Sequence, residues 1–237
     1  MEFLADIPAG GTLFNTACIV AGGSIGLLAG RVVPEKAFKL VFQCLGLYCF
    51  YIGLNMAGRA QNPLAVMFAL LAGAVIGEGL DIDGRLTRLG GSLKRRVGAE
   101  ERQGQNFTQA FVASSLLFCV GSMAVLGAIK DGLGDPSLLV VKGAMDGVSA
   151  VLFAASQGSG ALFSALPLLV YQGAITFAAR WMDAFITPVM LDDLSGLGGL
   201  VILGLGVNFL EIASVKTSNL LPGIPFVLVF SACAGFF

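Results

Sequence analysis

The sequence predicts an all-α fold, a polytopic bundle of about seven or eight transmembrane helices. Composition is the first sign: hydrophobic residues fill 56% of the 237 positions and charged residues only 12%, against roughly 25% charged in a soluble globular chain. Mean hydropathy is +0.86. The second sign is charge clustering, with six Lys/Arg between Arg85 and Arg102 and long stretches holding none. The third is run length. The apolar runs are continuous and near the ~20 residues a helix needs to cross a bilayer core. They lack the alternation of an outer-membrane barrel strand. A helix bonds its own backbone within the segment, as lipid requires.

Eight segments fit the pattern: Gly11–Gly30, Leu40–Gly58, Leu64–Leu80, Phe107–Ile129, Leu138–Ala155, Ala161–Ala179, Leu194–Ala213 and Leu220–Phe237. Pro34, Pro63, Pro136 and Pro188 fall between them, where helix breakers belong. Pro167, Pro222 and Pro225 fall inside, and NLLPGIP reads as a broken or re-entrant piece of the last segment. Residues 1–237 form one integral membrane domain in this reading, with 82–106 as its long loop. The start MEFLADIPAG is acidic and lacks the basic flank of a cleaved signal, so the first span is expected to stay.

Orientation follows from Lys and Arg. With the N-terminus outside, the inner loops hold Arg31, Lys36, Lys39, the six of the long loop and Lys216. The outer side holds Arg59, Lys130, Lys142 and Arg180. That asymmetry puts the 82–106 loop on the inner, cytoplasmic side of the membrane. In the loop, Ile82, Leu86, Leu89, Leu93 and Val97 recur at helical spacing among cations. A basic amphipathic helix over 82–98 is expected to lie in the interface beside anionic lipid, or to dock a cytosolic partner.

Gly22, Gly26 and Gly30 are spaced by four, as are Gly73 with Gly77 and Gly143 with Gly147. Such ridges let helices approach closely in lipid and would permit a homo-oligomer. A weak internal repeat relates residues 32–56 to 186–210. Each copy has a proline, an apolar helix and a Gly-x-Asn near its end, Gly53 with Asn55 and Gly206 with Asn208. Spans one to three would match spans six to eight. That offset is an odd number of crossings, so the copies would be inverted, as in many secondary transporters.

The chain has no histidine, which removes the commonest metal ligand and general base. Its five cysteines sit in apolar runs without CxxC spacing and are expected to be reduced packing residues. No HExxH and no GxxxxGK[ST] occurs. A Ser–Lys dyad of Lys142 with Ser149 or Ser122 is the only formal catalytic pairing. No enzyme activity, cofactor or metal is expected, and a net charge of −1 argues against nucleic acid.

GTLFNTACIVAGGSIGLLAG at 11–30, IGLNMA at 52–57, GEGLDI at 77–82, KGAMDGVSA at 142–150, and LVILGLGVNFLEI followed by NLLPGIP carry a resemblance. Over nearly the whole chain, in the same order, it resembles the YqgA/YdfK-type bacterial inner-membrane family, labelled domain of unknown function 554. The resemblance implies a polytopic bacterial membrane protein and supplies no substrate or reaction.

The polar residues inside the spans therefore carry the functional expectation. Asp146 lies mid-span, where a carboxylate costs about 2.5–3.5 kcal/mol on insertion scales. Lys142 is one turn away on the same face. Either the two line a polar cavity or they form a buried structural ion pair. Asn15, Asn55, Gln172 and Asn208 can bond across helices, and Glu78 closes span three near the inner surface. Together these seven residues are candidates for one polar pathway near the bilayer midplane. The function expected is a transporter or channel for a small solute or ion. The alternative is a non-transporting scaffold or accessory subunit whose charges are structural.

Overall fold

The computed structural model describes Leu4 and residues 7–30, 35–98, 105–120, 122–182 and 184–234, without the side chains of 35–39, 41, 42, 122, 180, 182 and 234. Of the residues named above, Arg31, Pro34 and Arg102, and the side chains of Lys36, Lys39, Ser122 and Arg180, lie outside the described residues. The helices are α1 (Gly10–Ala29), α2 (Glu35–Ala57), α3 (Pro63–Leu80), α4 (Ile82–Val97), α5 (Phe107–Cys119), α6 (Ser122–Gly132), α7 (Ser137–Gln157), α8 (Gly160–Phe163), α9 (Ala165–Met182), α10 (Pro188–Phe209) and α11 (Gly223–Ala234), with a 3₁₀ turn at Thr217–Leu220 before the last. No strand occurs among the described residues. Five helices or helix pairs there are long and apolar enough to cross a membrane, or six if α5 and α6 count as one bent span.

Boundaries differ from expectation for local reasons. The single span expected over Phe107–Ile129 breaks after Cys119 and turns by 63°. Pro63 and Pro188 are the first residues of their helices, not spacers between them. Proline suits that position, because the amide it lacks would be unbonded anyway. Thr187 caps α10 by accepting from the Met190 amide. The helix then runs only to Phe209, and Glu211 follows with φ 57°. Of the last expected span, Leu220–Phe237, the described residues place α-helix only over the 12 residues of α11, and 235–237 lie outside them.

The chain divides into two units. Unit 1 comprises Met1–Val41, Leu89–Cys119 and Met123–Phe185. Its framework is α1 against α7, running parallel. A methyl group on Gly143 would lie 3.0 Å from the Asn15 Cα, and one on Gly30 would lie 2.5 Å from the Ala155 carbonyl oxygen. Between these points Gly22 abuts the Gly147 carbonyl and Gly26 the Val151 carbonyl. The predicted ridges thus do meet, backbone on backbone. Ile19, Phe118, Ala150, Ala165 and Leu168 pack together behind them. Helix α9 lies antiparallel to α1, since Thr12 meets Thr176 and Asn15 meets Gln172.

Unit 2 comprises Phe42–Arg88, Val120–Ser122 and Ile186–Phe237. Its centre is α10, apolar around most of its circumference, with Leu194, Leu197, Val201 and Ile202 almost fully buried. Helix α2 crosses it antiparallel through reciprocal contacts. A methyl group on Gly46 would meet the Leu210 side chain at 2.8 Å, while one on Gly199 would run into the Ala57 amide. One on Gly206 would meet Phe50 at 2.7 Å, and one on Gly53 would meet Leu203 at 2.7 Å. One constant offset in sequence relates Gly46 to Gly199, Phe50 to Leu203, Gly53 to Gly206 and Ala57 to Leu210. Every contact therefore has its exchanged twin. Helix α3 is likewise antiparallel to the 3₁₀ turn and α11, with Gly77 against Asn219 and Gly73 against Gly223.

Helix α4 carries the expected amphipathic pattern. Gly90 is buried against Thr108 and Phe111, while Leu89 and Val97 stay exposed. Lys94, Arg95 and Arg96 fill its last turn, where cations suit the helix dipole. Along the other long helices many exposed large side chains are apolar, including Val75, Val170, Phe177 and Trp181. A surface of that kind is covered by lipid, and the chain is a multi-pass helical membrane protein.

Backbone contact at Gly22 makes its size critical. Gly22→Ala is expected to cost about 1–3 kcal/mol by overpacking. Gly173 has nothing within 4 Å of the place a methyl group would occupy, so it is expected to accept alanine with no loss. Thermal unfolding of the two variants in detergent measures the contrast. Equal melting temperatures would contradict the close approach of α1 to α7.

Candidate functional site

Helix α7 brings Lys142 and Asp146 to one face of unit 1. The helix starts at Ser137, whose amide donates to Asp135 Oδ1 (3.0 Å). The Ser137 side chain and that amide bond hold the Asp135 carboxyl below its usual range. Four residues apart, Lys142 and Asp146 form a direct ion pair. Only 7% of Lys142 and 9% of Asp146 remains exposed. The Lys142 ammonium also donates to the Phe118 carbonyl at 2.9 Å.

That carbonyl is available because of the helix break. In a continuous helix the Phe118 oxygen would accept from the amide four residues on. Here α5 ends at Cys119, so the oxygen turns to the lysine. The interruption of an apolar span and the cation facing it are two halves of one arrangement.

Two amides complete the cluster. Asn15 on α1 donates to Gln172 on α9 (3.1 Å), and both side chains are fully buried. Asn15 also stands beside Asp146. The side-chain oxygen of Asn15 and the amino group of Gln172 have no hydrogen-bond partner. Exchanging O and N in both amides still leaves one acceptor and one donor over.

A turn away on α1, Thr12 donates its hydroxyl to Asp131 Oδ2 at 3.0 Å and lies 3.1 Å from the Thr176 hydroxyl. Asp131, from the end of α6, also accepts the amides of Gly11 (2.8 Å) and Thr12 (2.9 Å). Those amides open α1 and need an acceptor. Ala9 at the N-cap has no side-chain oxygen to offer. The polar groups thus form a ladder through unit 1, from Asp131 past Thr12 and Thr176, then Asn15 and Gln172, to Asp146 and Lys142.

The other three candidates belong to unit 2, each with local partners. Asn55 donates back to the Tyr51 carbonyl, one turn earlier on α2 (2.7 Å). Asn208 closes the turn after α10, donating to the Val215 carbonyl (2.8 Å) and accepting from its amide (2.7 Å). Glu78 is exposed and accepts from Lys216 (2.5 Å) and Asn219 (2.6 Å). The bond to Glu78 raises the pKa of Lys216, which keeps it charged. Asn219 in turn accepts the Asp83 amide (2.7 Å), so the group pins the 3₁₀ turn to the end of α3.

Sequence reasoning misses Asp131, Asp193, Thr12 and Thr176. Asp193 is fully buried and accepts the amides of Gln61 and Asn62, both at 2.8 Å, and the Asn62 side chain at 2.9 Å. It fixes the start of α3 as Asp131 fixes the start of α1. A usable signal exists for the threonines: Thr12 and Asn15, and Gln172 and Thr176, stand three and four apart, on one helical face each. No group of three or more metal-ligating side chains occurs among the described residues.

Comparison with known proteins places this arrangement in a family. The chain is 29% identical over 227 residues to the uncharacterized membrane protein YdfK of Bacillus subtilis (strain 168), covering 93% of this chain and 95% of that one. It is 29% identical over 225 residues to the uncharacterized protein YqgA of Escherichia coli (strain K12), covering 94% and 96%. No solved structure matches. The family model described as protein of unknown function (DUF554) matches residues 10–232, so the chain belongs to that family.

Proposed function

We propose that this protein moves a small solute or ion across the bacterial inner membrane, with Lys142 and Asp146 in the pathway. One observation carries the proposal. A lysine–aspartate pair within a membrane-length helix is held by a carbonyl released at a helix break and flanked by buried amides with unused bonding capacity. Discontinuous helices with freed carbonyls are the usual construction of solute sites in secondary transporters. Ionisable groups at such depth most often mark a pathway.

Helix directions support an inverted-repeat core. The sequence match pairs α1 with α9, α2 with α10 and α3 with the α11 segment. Within their own units, all three pairs pack antiparallel. The parallel packing of α1 and α7 suits an odd number of crossings between them: α2, α3 and the bent α5–α6 pair. Transport would run on solute or ion gradients, since nothing in the chain resembles a nucleotide-hydrolysing motif. The basic α4 would lie on the cytoplasmic face against anionic lipid, with the N-terminus outside.

The Lys142–Phe118 bond also favours a second reading, in which the pair is a structural pin for α5 and α7 in a scaffold. One variant separates the two. Under transport, Asp146→Asn in the full chain lowers flux per folded molecule in liposomes at least tenfold, whatever stability is lost by leaving the Lys142 ammonium unpaired. A large loss of stability with flux per folded molecule unchanged establishes the pin instead. Topology has its own check: alkaline phosphatase fused after Arg96 is expected to be inactive in cells, and activity there would reverse the orientation.

A further inference from the structure

We infer that the Lys142–Asp146 site takes a small zwitterion of the α-amino-acid type, one ammonium and one carboxylate on adjacent carbons. The inference rests on the transport proposal and narrows its cargo. It follows from charge balance. Lys142 and Asp146 neutralise each other and are only 7% and 9% exposed. A cargo must displace that contact to bind either group. A lone cation on Asp146 would leave the Lys142 ammonium buried with only the Phe118 carbonyl. A lone anion on Lys142 would leave the Asp146 carboxylate uncompensated. Either outcome strands a buried charge, the most unfavourable arrangement in a low-dielectric interior.

A zwitterion strands neither. Its ammonium replaces that of Lys142 on Asp146, and its carboxylate replaces that of Asp146 on Lys142. The flanking amides carry the same complement. Between them Asn15 and Gln172 leave one acceptor and one donor unpartnered, one for each end of such a cargo. Both side chains are fully buried. Between transport cycles the lysine and aspartate each stand in for one half of the cargo. The site then has the same net charge with and without cargo, and no counter-ion need cross.

The test uses the full chain in liposomes loaded with unlabelled alanine, with radiolabelled alanine as probe. Alanine should exchange. Alaninamide (no carboxylate) and propionate (no amine) should compete at least tenfold more weakly than alanine. Lys142→Gln and Asp146→Asn should each abolish exchange. Because a single variant leaves one charge unpaired, Lys142→Gln/Asp146→Asn serves as the folding control. It is expected to melt near the parent temperature and to move no alanine. Suppose alaninamide, propionate with a proton gradient, or an inorganic ion moves in an Asp146-dependent manner while alanine is inert. The zwitterion assignment then falls and transport survives. If no probe moves and the charge variants change only stability, both fall.

Discussion

The structure of unit 1 turns on one constraint: an ammonium and a carboxylate must be held inside a helix that otherwise faces apolar groups. Desolvating each ion costs several kcal/mol, and their mutual attraction offsets this only when further hydrogen bonds complete the geometry. Lys142 meets that condition with Asp146 and the Phe118 carbonyl. Asp146 meets it with Lys142 and the neighbouring Asn15. The break after Cys119 belongs to the same solution, because a continuous α5 would have used the Phe118 oxygen within the helix. Pair, break and amides are one unit of physics, and losing any member leaves an unsatisfied group behind.

Close backbone approach makes the arrangement reachable. Asn15 stands beside Asp146 only because α1 and α7 touch through glycine, with Gly143 admitting the α1 backbone at Asn15 and Gly22 abutting Gly147. A side chain on these ridges would push the amide away from the carboxylate. The same economy governs helix starts. Asp131 in unit 1 and Asp193 in unit 2 each accept backbone amides at the start of a helix, α1 and α3 respectively. Those amides carry the positive end of the helix dipole and stabilise a carboxylate without a metal or an arginine.

Much of this is legible in the sequence, because it depends on properties local to a run of residues. Apolar run length marks most helices, the spacing of Ile82, Leu86, Leu89 and Leu93 marks α4, and the four-residue glycine spacing marks the ridges that pair α1 with α7. Lys142 and Asp146 announce themselves by their cost. What stays hidden depends on partners distant in sequence. In SLLFCVGSMAVLG, which lacks proline, the one sign of a break is the Gly121–Ser122 pair. Lys142, which meets the Phe118 carbonyl beside the break, is distant in sequence. Asp131 and Asp193 look like ordinary charges near span ends, and only the folded chain shows the amides they serve. Asn55 and Asn208 mislead for the converse reason: a Gly-x-Asn common to two helices marks a shared pattern, while each amide bonds within its own stretch.

Transport through this site requires that solvent or cargo reach Lys142 and Asp146. The most direct measurement is thiol accessibility in liposomes, using Asp146→Cys in a chain whose five native cysteines are replaced by serine or alanine. A small, charged, membrane-impermeant reagent is expected to modify this cysteine from at least one side of the folded protein. A thiol that reacts only after unfolding would show the site closed to water, and would contradict the pathway.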